Sequence, residues 1–349
     1  MLVNDLDTPA VTCDLDVLQK NIREMAEVCQ RVGIPLRSHT KSHKIPEIAH
    51  WQMRAGNVGI CCQKIGDAEV MVAAGLSNIL IPFNIYGAAK VDRLTRLVRR
   101  ADVTVALDSE EIARGLADGA QRAGVELPVL IEMDTGGRRA GVQSPAAVRQ
   151  LARVVADLPG LALRGVMTYP SRLEARPFLD EVRDGLRQDG LPASVVSGGG
   201  TGHEAISKQI GCTETRSGSY VWEGLTRVAK SADLDPARCP MRIVCTVVSV
   251  PTPERCILDG GIKTFGLFPR TPQPECLMVE HPKAKLWPFS IEHTTVDTSE
   301  CDHRFKVGER VSVIPRHGEV ALNLHDELHG VRDGRVEISW AVQGRGRIR

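Results

Sequence analysis

Short apolar runs alternate with longer amphipathic segments from about residue 8 to about residue 220. Segments such as LQKNIREMAEVCQRV and AAVRQLARVVADL have apolar residues at helical spacing, whereas the short runs are rich in β-branched residues and predict strands. The predicted strands are PAVTCDL, PLRSHTK, NVGICC, NILIPF, DVTVALD, LPVLIEMD, LRGVMTY and ASVVSGGG. Repeated βα units predict a parallel sheet, and about eight of them favour a closed (β/α)8 barrel over an open doubly wound sheet.

The pattern changes after about residue 236, where long helical segments disappear. The runs RIVCTVVSV, RCILDGGIKTF, ERVSVIP and GRVEISWAV are separated by Pro and Gly clusters and predict a smaller, mostly β domain. The stretch DLDPARCP has the proline and charge of a linker. We therefore expect an α/β barrel over residues 11–235 and a β domain over residues 236–349 that also takes in residues 1–10.

Composition excludes several classes of partner. The net charge of +1 favours neither nucleic acid nor a membrane surface. No apolar run approaches the roughly 18 residues that span a bilayer, and MLVNDLDTPA lacks the basic start of a secretory signal. We expect a cytoplasmic protein whose ten cysteines are reduced and serve mainly as core residues.

A lysine ends the second predicted strand, in RSHTKSHK. Functional side chains of a barrel lie at the carboxyl ends of its strands, where Lys41 would be partly desolvated. Burial and the neighbouring cations Arg37, His39, His43 and Lys44 would lower its pKa and favour Schiff-base formation. A solvated basic turn is the alternative interpretation.

Two glycine-rich turns follow later strands. In VVSGGGTGH, residues 195–203, backbone N–H groups and the hydroxyl of Thr201 could hold a phosphate, and barrel phosphate sites commonly follow late strands. In IEMDTGGRRAGV, Arg138 and Arg139 follow the turn at Asp134 and could hold an anionic oxygen such as a cofactor phenolate. A flexible turn and a surface loop are the respective alternatives.

A histidine and a carboxylate lie two residues apart in VIPRHGEVALNLHDELHGV. On a strand, His317 and Glu319 would share one face. With substrate and water completing the shell, this pair could hold a borderline divalent cation. For His325, Asp326 and His329 we expect structural roles.

Taken together, these motifs resemble the fold-type III pyridoxal-phosphate (PLP) family of D-threonine aldolases and D-serine dehydratases, which shares its barrel with alanine racemase. The family's H-x-K-[TS]-H-K matches residues 39–44, its D-T-G-x-x-R-x-G-V matches residues 134–142, and its R-x-G-[ST]-Y matches residues 216–220. The SGGGT turn and the ending NLHDELHGV also fit, so the resemblance covers nearly the whole chain. It identifies Lys41, rather than Lys44, as the residue that carries PLP.

The resemblance implies roles for further residues. Arg139 would contact the phenolic oxygen of PLP, and Tyr169 would lie at the pyridine nitrogen. His317 would be a metal ligand, with Glu319 beside it. The residues implied to bind the phosphate or line its pocket are Ser197, Gly199, Gly200, Thr201, Gly202 and Tyr220.

Two features depart from the family pattern. Metal-dependent relatives have P-N-H-x-[CD], whereas residues 315–319 are PRHGE, and the loop after Tyr169 lacks the family's histidine. The expectation is a PLP-dependent lyase that cleaves a D-3-hydroxy amino acid to glycine and an aldehyde with the help of Mn²⁺, Mg²⁺ or Zn²⁺. A dehydratase, a racemase and a non-catalytic PLP homeostasis protein remain open. Because the barrel rim must be covered to exclude water, we also expect a homodimer.

Overall fold

The computed structural model of the chain describes residues 1–225, 235–266 and 276–349. These residues form two compact units. The first, called the barrel unit, consists of Arg23–Lys41, Pro46–Gly218 and Arg347–Arg349. The second, called the sheet unit, consists of Met1–Ile22, Ser42–Ile45 and Ser219–Gly346.

Strands and helices are numbered along the chain. The strands are β1 (Ala10–Asp14), β2 (Leu36–His39), β3 (Gly59–Cys61), β4 (Asn78–Ile81), β5 (Asp102–Leu107), β6 (Leu127–Met133), β7 (Leu161–Thr168), β8 (Val195–Gly199), β9 (Glu214–Ser217), β10 (Met241–Thr252), β11 (Arg255–Leu258), β12 (Cys276–Met278), β13 (Lys285–Phe289), β14 (Thr294–Asp297), β15 (Arg310–Pro315), β16 (Glu327–Arg332) and β17 (Arg335–Ala341). The helices are α1 (Leu15–Val32), α2 (Pro46–Arg54), α3 (Ile65–Ala73), α4 (Ala88–Val98), α5 (Glu110–Ala123), α6 (Pro145–Asp157), α7 (Arg176–Gln188), α8 (Glu204–Gln209), α9 (Ile262–Phe265) and α10 (Gly318–Leu322).

Strands β2 to β9 close into a parallel barrel in chain order, with β9 pairing back to β2. The predicted (β/α)8 class is confirmed, and seven of the predicted runs, PLRSHTK to ASVVSGGG, supply β2 to β8. The first run was placed wrongly, because β1 pairs antiparallel with β10 and parallel with β16 instead of joining the barrel.

The eighth barrel strand, β9, was not predicted because its sequence, ETRS, is polar. All four of its residues are nevertheless buried. Glu214 accepts hydrogen bonds from Arg37 (Nε to both carboxylate oxygens, 3.0 Å) and from the hydroxyl of Ser197 (2.6 Å). A buried charge is tolerated when it is paired and hydrogen-bonded, so this strand is stabilised by partners from distant parts of the chain.

An apolar layer fills the barrel between its polar ends. It contains one buried side chain from each of β3 to β7, namely Cys61, Leu80, Ala106, Leu130 and Met167. Amphipathic helices cover the outside, and two of them begin at serine N-caps: Ser109 accepts from Ile112 N–H before α5, and Ser144 accepts from Ala147 N–H before α6. All strands point the same way, so the loops after them meet at one end, which we call the rim.

The sheet unit is built on a nine-stranded sheet with the order β13-β14-β11-β10-β1-β16-β17, and with β15 pairing both β10 and β12. The predicted C-terminal β domain is confirmed in kind; the described helices α9 and α10 there have only four and five residues. The predicted limits of 11–235 and 236–349 differ from the units observed, because β1 and residues 219–225 belong with the sheet unit. Residues 226–234 of the predicted barrel lie outside the described residues.

Across the described ranges, every helix is too short or too polar to cross a lipid bilayer. Nine of the ten cysteines are buried, in keeping with the expected core role.

Candidate active site

Lys41 lies directly after β2, in a 3₁₀ turn formed by Thr40–Ser42. The turn is held in place by the buried Thr40, whose hydroxyl donates to the carbonyl of Cys61 on β3 at 2.9 Å. The side chain of Lys41 is exposed. The lysine therefore lies at the rim on an anchored backbone, as predicted, but its exposed side chain does not show the predicted desolvation.

Two of the cations predicted to act on Lys41 do not do so. Arg37 lies near the start of β2, where it donates hydrogen bonds to Glu214 and to Asn78 Oδ1 (2.7 Å). Glu214 and Asn78 are the first residues of β9 and β4, so Arg37 lies at the end of the barrel opposite the rim. Burial is the main reason that the pKa of His39 lies well below its ordinary value, and the positive charge of Lys41 lowers it further. His39 is therefore neutral, and its Nδ1 accepts from the Lys41 N–H (3.4 Å) while Nε2 bonds Gln63 Oε1 (3.0 Å).

The loop between β6 and α6 is shaped by Asp134. Its Oδ1 accepts from the N–H groups of Gly136 (2.9 Å) and Arg138 (3.1 Å). Gly141 has φ +116°, and a Cβ there would lie 2.5 Å from Asp134 N, so the chain folds back only with glycine at this position. A Cβ on Gly137 would lie 2.7 Å from the carbonyl oxygen of Tyr169. The glycines of the D-T-G-x-x-R-x-G-V motif therefore allow the loop to pack directly on the next rim segment.

Arg139 and Tyr169 meet at the rim. The guanidinium carbon of Arg139 lies 4.9 Å from the centroid of the Tyr169 ring, and its Nη2 is 3.4 Å from Glu132 Oε1. Burial raises the pKa of Glu132, although the charge of Arg139 opposes the rise. Tyr169 is 40% exposed, so an aromatic ring and a held guanidinium face the open side of the rim together. The structure thus brings together two of the residues predicted to contact the cofactor.

Ser171 is a site residue that the sequence analysis missed. It is fully buried, and it ties the loop after β7 to the glycine turn after β8. Its N–H donates to the carbonyl of Gly199 (2.8 Å), its hydroxyl oxygen accepts from Gly199 N–H (2.9 Å), and its carbonyl bonds His203 Nδ1 (2.7 Å). The hydroxyl of Ser207 also donates to it at 2.8 Å. A lone serine in a loop gives no sequence signal for this role.

The glycine turn at residues 199–202 is largely satisfied from within the protein. Gly200 N–H donates to the carbonyl of Arg216 (2.8 Å), and Gly202 N–H donates to the buried carboxylate of Glu204 (3.0 Å). With Gly199 N–H bonded to Ser171, these three N–H groups do not form the predicted phosphate cradle. Gly202 has φ +90° with open space on the side where a Cβ would project, so the turn keeps an accessible face.

Ser197 has a different role from the one predicted. It lies inside β8, where its hydroxyl donates to Glu214 and accepts from Arg216 Nη1 at 2.6 Å. Since its only proton is used, the hydroxyl has no donor left for a phosphate. Arg216, which is buried, also donates from Nη2 to the carbonyl of Thr168 at 2.9 Å and so links the ends of β7, β8 and β9.

The remaining predicted residues belong to the sheet unit. Tyr220 is buried there, in the 3₁₀ turn Ser219–Val221. His317 occupies the N-cap position of α10, without a side-chain capping bond, after β15 has ended at Pro315, and Glu319 lies in the first turn of that helix. The argument that His317 and Glu319 share a strand face is therefore wrong. Within the described part of the sheet unit, no third His, Cys, Asp or Glu groups with them as a metal-binding set.

The three residues expected to be structural have protein partners. His325 Nε2 bonds the carbonyl of Thr264 (2.9 Å), His329 Nδ1 bonds Ser339 Oγ (2.7 Å), and Asp326 pairs with Arg345. Their structural roles are confirmed.

The rim fits pyridoxal phosphate. A PLP enzyme of this kind needs an accessible amine, a cation for the phenolic oxygen and a polar group at the pyridine nitrogen. Lys41, Arg139 and Tyr169 supply these groups from three loops of one rim, and the accessible face of the glycine turn follows the next strand. The donor chemistry of the barrel unit is therefore that of a PLP site.

Two family models cover most of the chain. "Alanine racemase, N-terminal domain" matches residues 13–225, and "Putative serine dehydratase domain" matches residues 240–331. The 3-hydroxy-D-aspartate aldolase of Paracoccus denitrificans (strain Pd 1222) is 31% identical over 367 residues, which cover 99% of this chain and 93% of the relative.

Solved structures agree. The D-threonine aldolase of Filomicrobium marinum superposes with a TM-score of 0.91 at 29% identity, covering 100% of this chain and 99% of that one. The D-threo-3-hydroxyaspartate dehydratase of Delftia sp. HT23 has a TM-score of 0.86 at 26% identity, with coverage of 97% and 98%. The barrel, the residues at its rim and the family matches along both units agree. The chain belongs to the fold-type III pyridoxal-phosphate enzymes that join an alanine-racemase barrel to a serine-dehydratase-type β domain.

Proposed function

We propose that this protein is a PLP-dependent lyase that cleaves the Cα–Cβ bond of a D-3-hydroxy amino acid, giving glycine and an aldehyde. The observation that carries the proposal is the joint presence of Lys41, Arg139 and Tyr169 on one rim in a chain that matches an aldolase over 99% of its length. The match extends through the sheet unit, which favours an enzyme over a single-domain PLP homeostasis protein.

Three rim residues would hold the cofactor. Lys41 Nζ would carry PLP, Arg139 would bind its phenolic oxygen, and Tyr169 would lie at its pyridine nitrogen. When bound, PLP withdraws electrons from Cα and so weakens the bonds to it. Lys41, in its protonated ammonium form, would supply the proton to Cα after the aldehyde has left, and the β-hydroxyl would release its proton to water or another base. The Cα–Cβ bond is then replaced by Cα–H, and the β-hydroxyl becomes the carbonyl.

His317 and Glu319 would hold a divalent cation. A divalent cation that binds the β-hydroxyl of a substrate lowers the pKa of that hydroxyl. Solved structures of D-threo-3-hydroxyaspartate dehydratase include a histidine variant and a cysteine variant two positions further on, the latter in a metal-free form. In this chain the residue two positions after His317 is Glu319, a carboxylate instead of a thiolate. A site of imidazole and carboxylate suits Mn²⁺ or Mg²⁺ better than a site with a softer thiolate ligand does.

Dehydration of the same substrates is the second candidate. The likeness to D-threo-3-hydroxyaspartate dehydratase over nearly the whole chain supports it. In that reaction Lys41 would remove the Cα proton and hydroxide would leave from Cβ, so the same residues serve both outcomes. The products differ: cleavage yields an aldehyde, whereas dehydration yields a keto acid and ammonia.

We further propose that the active form is a homodimer in which the partner subunit covers the rim. The exposure of Tyr169 and Lys41 supports this, because a carbanion at Cα must be shielded from water. Light scattering coupled to gel filtration should give twice the chain mass. Full activity from a monomer at micromolar concentration would contradict the proposal.

One experiment separates the candidates. The purified holoenzyme is incubated with D- and L-forms of 3-hydroxy amino acids, with and without Mn²⁺, and aldehyde, keto acid and change of chirality are measured. Aldehyde and glycine from a D-substrate support the lyase. Keto acid alone would indicate the dehydratase, inverted substrate alone the racemase, and no product from any substrate would refute the enzymatic proposal.

A further inference from the structure

Two histidines and a glutamate of the sheet unit lie together away from any motif used above. His281 lies between β12 and β13, His303 follows β14, and Glu309 directly precedes β15. One ligand atom from each residue lies within 4.8 Å of the others, and His303 Nε2 is 2.7 Å from Glu309 Oε1. We propose that these three residues form a binding site for a divalent transition-metal ion of the Zn²⁺ class, separate from the His317–Glu319 pair.

The backbone next to two of the ligands, His281 and Glu309, is held by hydrogen bonds to strands. Next to His281, Val279 N–H donates to the carbonyl of Ser312 (2.8 Å), and the Glu280 carboxylate accepts from Ser312 N–H. Glu309 is held by Val247 N–H, which donates to its carbonyl at 2.8 Å. These anchors lie on β10 and β15, so the backbone that carries His281 and Glu309 is held in place.

The side chains of the two histidines pack against each other and against Phe305. The rings of His281 and His303 are stacked, with centroids 4.3 Å apart and an interplanar angle of 14°, and Phe305 packs edge-on against both. Stacked imidazoles direct their lone pairs along parallel planes, so one ring must turn about its Cβ–Cγ bond to share an ion with the other. Ligand atoms around tetrahedral zinc are about 3.3 Å apart, as follows from Zn–N distances of about 2.0–2.1 Å. The ligand atoms must therefore close from separations of up to 4.8 Å to about 3.3 Å.

The donor set and its exposure select the ligand class. Two imidazoles and one carboxylate are the ligands of zinc sites that keep a fourth position for water, and they suit Zn²⁺, Co²⁺, Ni²⁺ or Cu²⁺ more than Mg²⁺ or Ca²⁺. His303 and Glu309 side chains are 39% and 24% exposed, which leaves a path for the ion and room for a water.

Two lysines near the cluster are each paired with an acidic residue. Lys283 lies 3.4 Å from Asp302, and Lys285 pairs with Glu300. Neither ammonium group therefore opposes a bound cation with its full charge. A metal here would join the segment after β12 to the segment before β15 and would stabilise the sheet unit, because the unfolded chain has no such site.

Metal counting tests the site. The holoenzyme is freed of metal with a chelator, loaded with Co²⁺ or Zn²⁺, desalted and analysed by mass spectrometry for metal per chain. His303→Gln and Glu309→Gln should each lose one equivalent and the visible bands of tetrahedral Co²⁺. His329→Gln, which alters another partly exposed histidine of the same sheet, should lose neither. His317→Ala should keep this equivalent, so the test is independent of the proposed function.

Equal metal content and equal Co²⁺ spectra in the wild type, His303→Gln and Glu309→Gln would overturn the proposal. Circular dichroism and PLP content establish that each variant is folded. Should one of the two variants be misfolded, His281→Gln replaces it, and the same criterion decides.

Discussion

Replacing Ser171 by alanine should weaken cofactor binding without removing any group that touches the cofactor. Ser171 joins the loop bearing Tyr169 to the glycine turn through its hydroxyl, and both the serine and Gly199 are buried. Ser171→Ala keeps the backbone bonds between the two segments but leaves Gly199 N–H without its acceptor. The change therefore tests whether the geometry of the turn depends on this one side chain.

The magnitude follows from the partners that are lost. A buried N–H deprived of its acceptor costs about 1–3 kcal/mol. The hydroxyl of Ser207 loses an acceptor too, but Thr215 Oγ1 lies 3.1 Å away and can replace it, so its contribution is smaller. If half of the cost at Gly199 N–H, about 0.5–1.5 kcal/mol, falls on the conformation that binds PLP, the affinity for PLP drops about two- to tenfold, since 1.4 kcal/mol corresponds to a factor of ten.

The assay is a PLP titration of the apoenzyme, followed by absorbance. Ser194→Ala is the matched control, because Ser194 is exposed and its hydroxyl donates to the carbonyl of Arg164 at 3.2 Å. An exposed change of this kind stays within about 0.5 kcal/mol of the wild type. Wild-type PLP affinity in Ser171→Ala would refute the idea that this serine shapes the turn.

Three further predictions concern the lysine, the metal and the neutral histidine. Borohydride reduction followed by peptide mapping should label Lys41; a label on Lys44 would contradict the assignment. Chelation should abolish turnover and Mn²⁺ should restore it, while His317→Ala should keep PLP but lose turnover; full activity after exhaustive chelation would remove the metal from the proposal. The pKa of His39 is depressed in the folded state, so as the pH falls the imidazole is protonated in the unfolded chain before it is protonated in the folded chain. The free energy of unfolding therefore decreases as the pH drops below about 6.5. The contribution of His39 to the free energy of unfolding then falls by up to about 1.4 kcal/mol per pH unit. The Tm of His39→Asn should therefore fall less than the Tm of the wild type between pH 6.5 and pH 5. Parallel Tm curves would rule this out.

Hydrophobic patterning was sufficient for the fold class. Most of the runs that became β3 to β8 are largely apolar, because strands of a parallel barrel are covered on both faces, and such runs stand out against the amphipathic helices between them. The lysine at the end of PLRSHTK, the D-T-G-x-x-R-x-G-V loop and the glycine turn could be placed at the rim for the same reason: each directly follows a predicted strand.

Patterning alone could not decide which sheet a strand joins. The residues of β1 are as apolar as those of a barrel strand, and only pairing with β10 and β16 assigns them to the sheet unit. Conversely, β9 is polar along its length and enters the barrel because Arg37 and Ser197 bring partners for Glu214 from far along the chain. The residues on either side of β9 in the sequence do not indicate which distant side chains will bond to it.

Tertiary structure also decided what individual site residues do. Ser197 and Arg37 look available in sequence, yet each is already bonded inside the barrel, and His39 is kept neutral by burial. Ser171, unremarkable in sequence, joins two rim loops. The sequence by itself determined the fold class and the residues that reach the rim, because these follow from local periodicity and strand direction. Only the folded chain decided hydrogen-bond partners and protonation, because both depend on groups that folding brings together from distant positions.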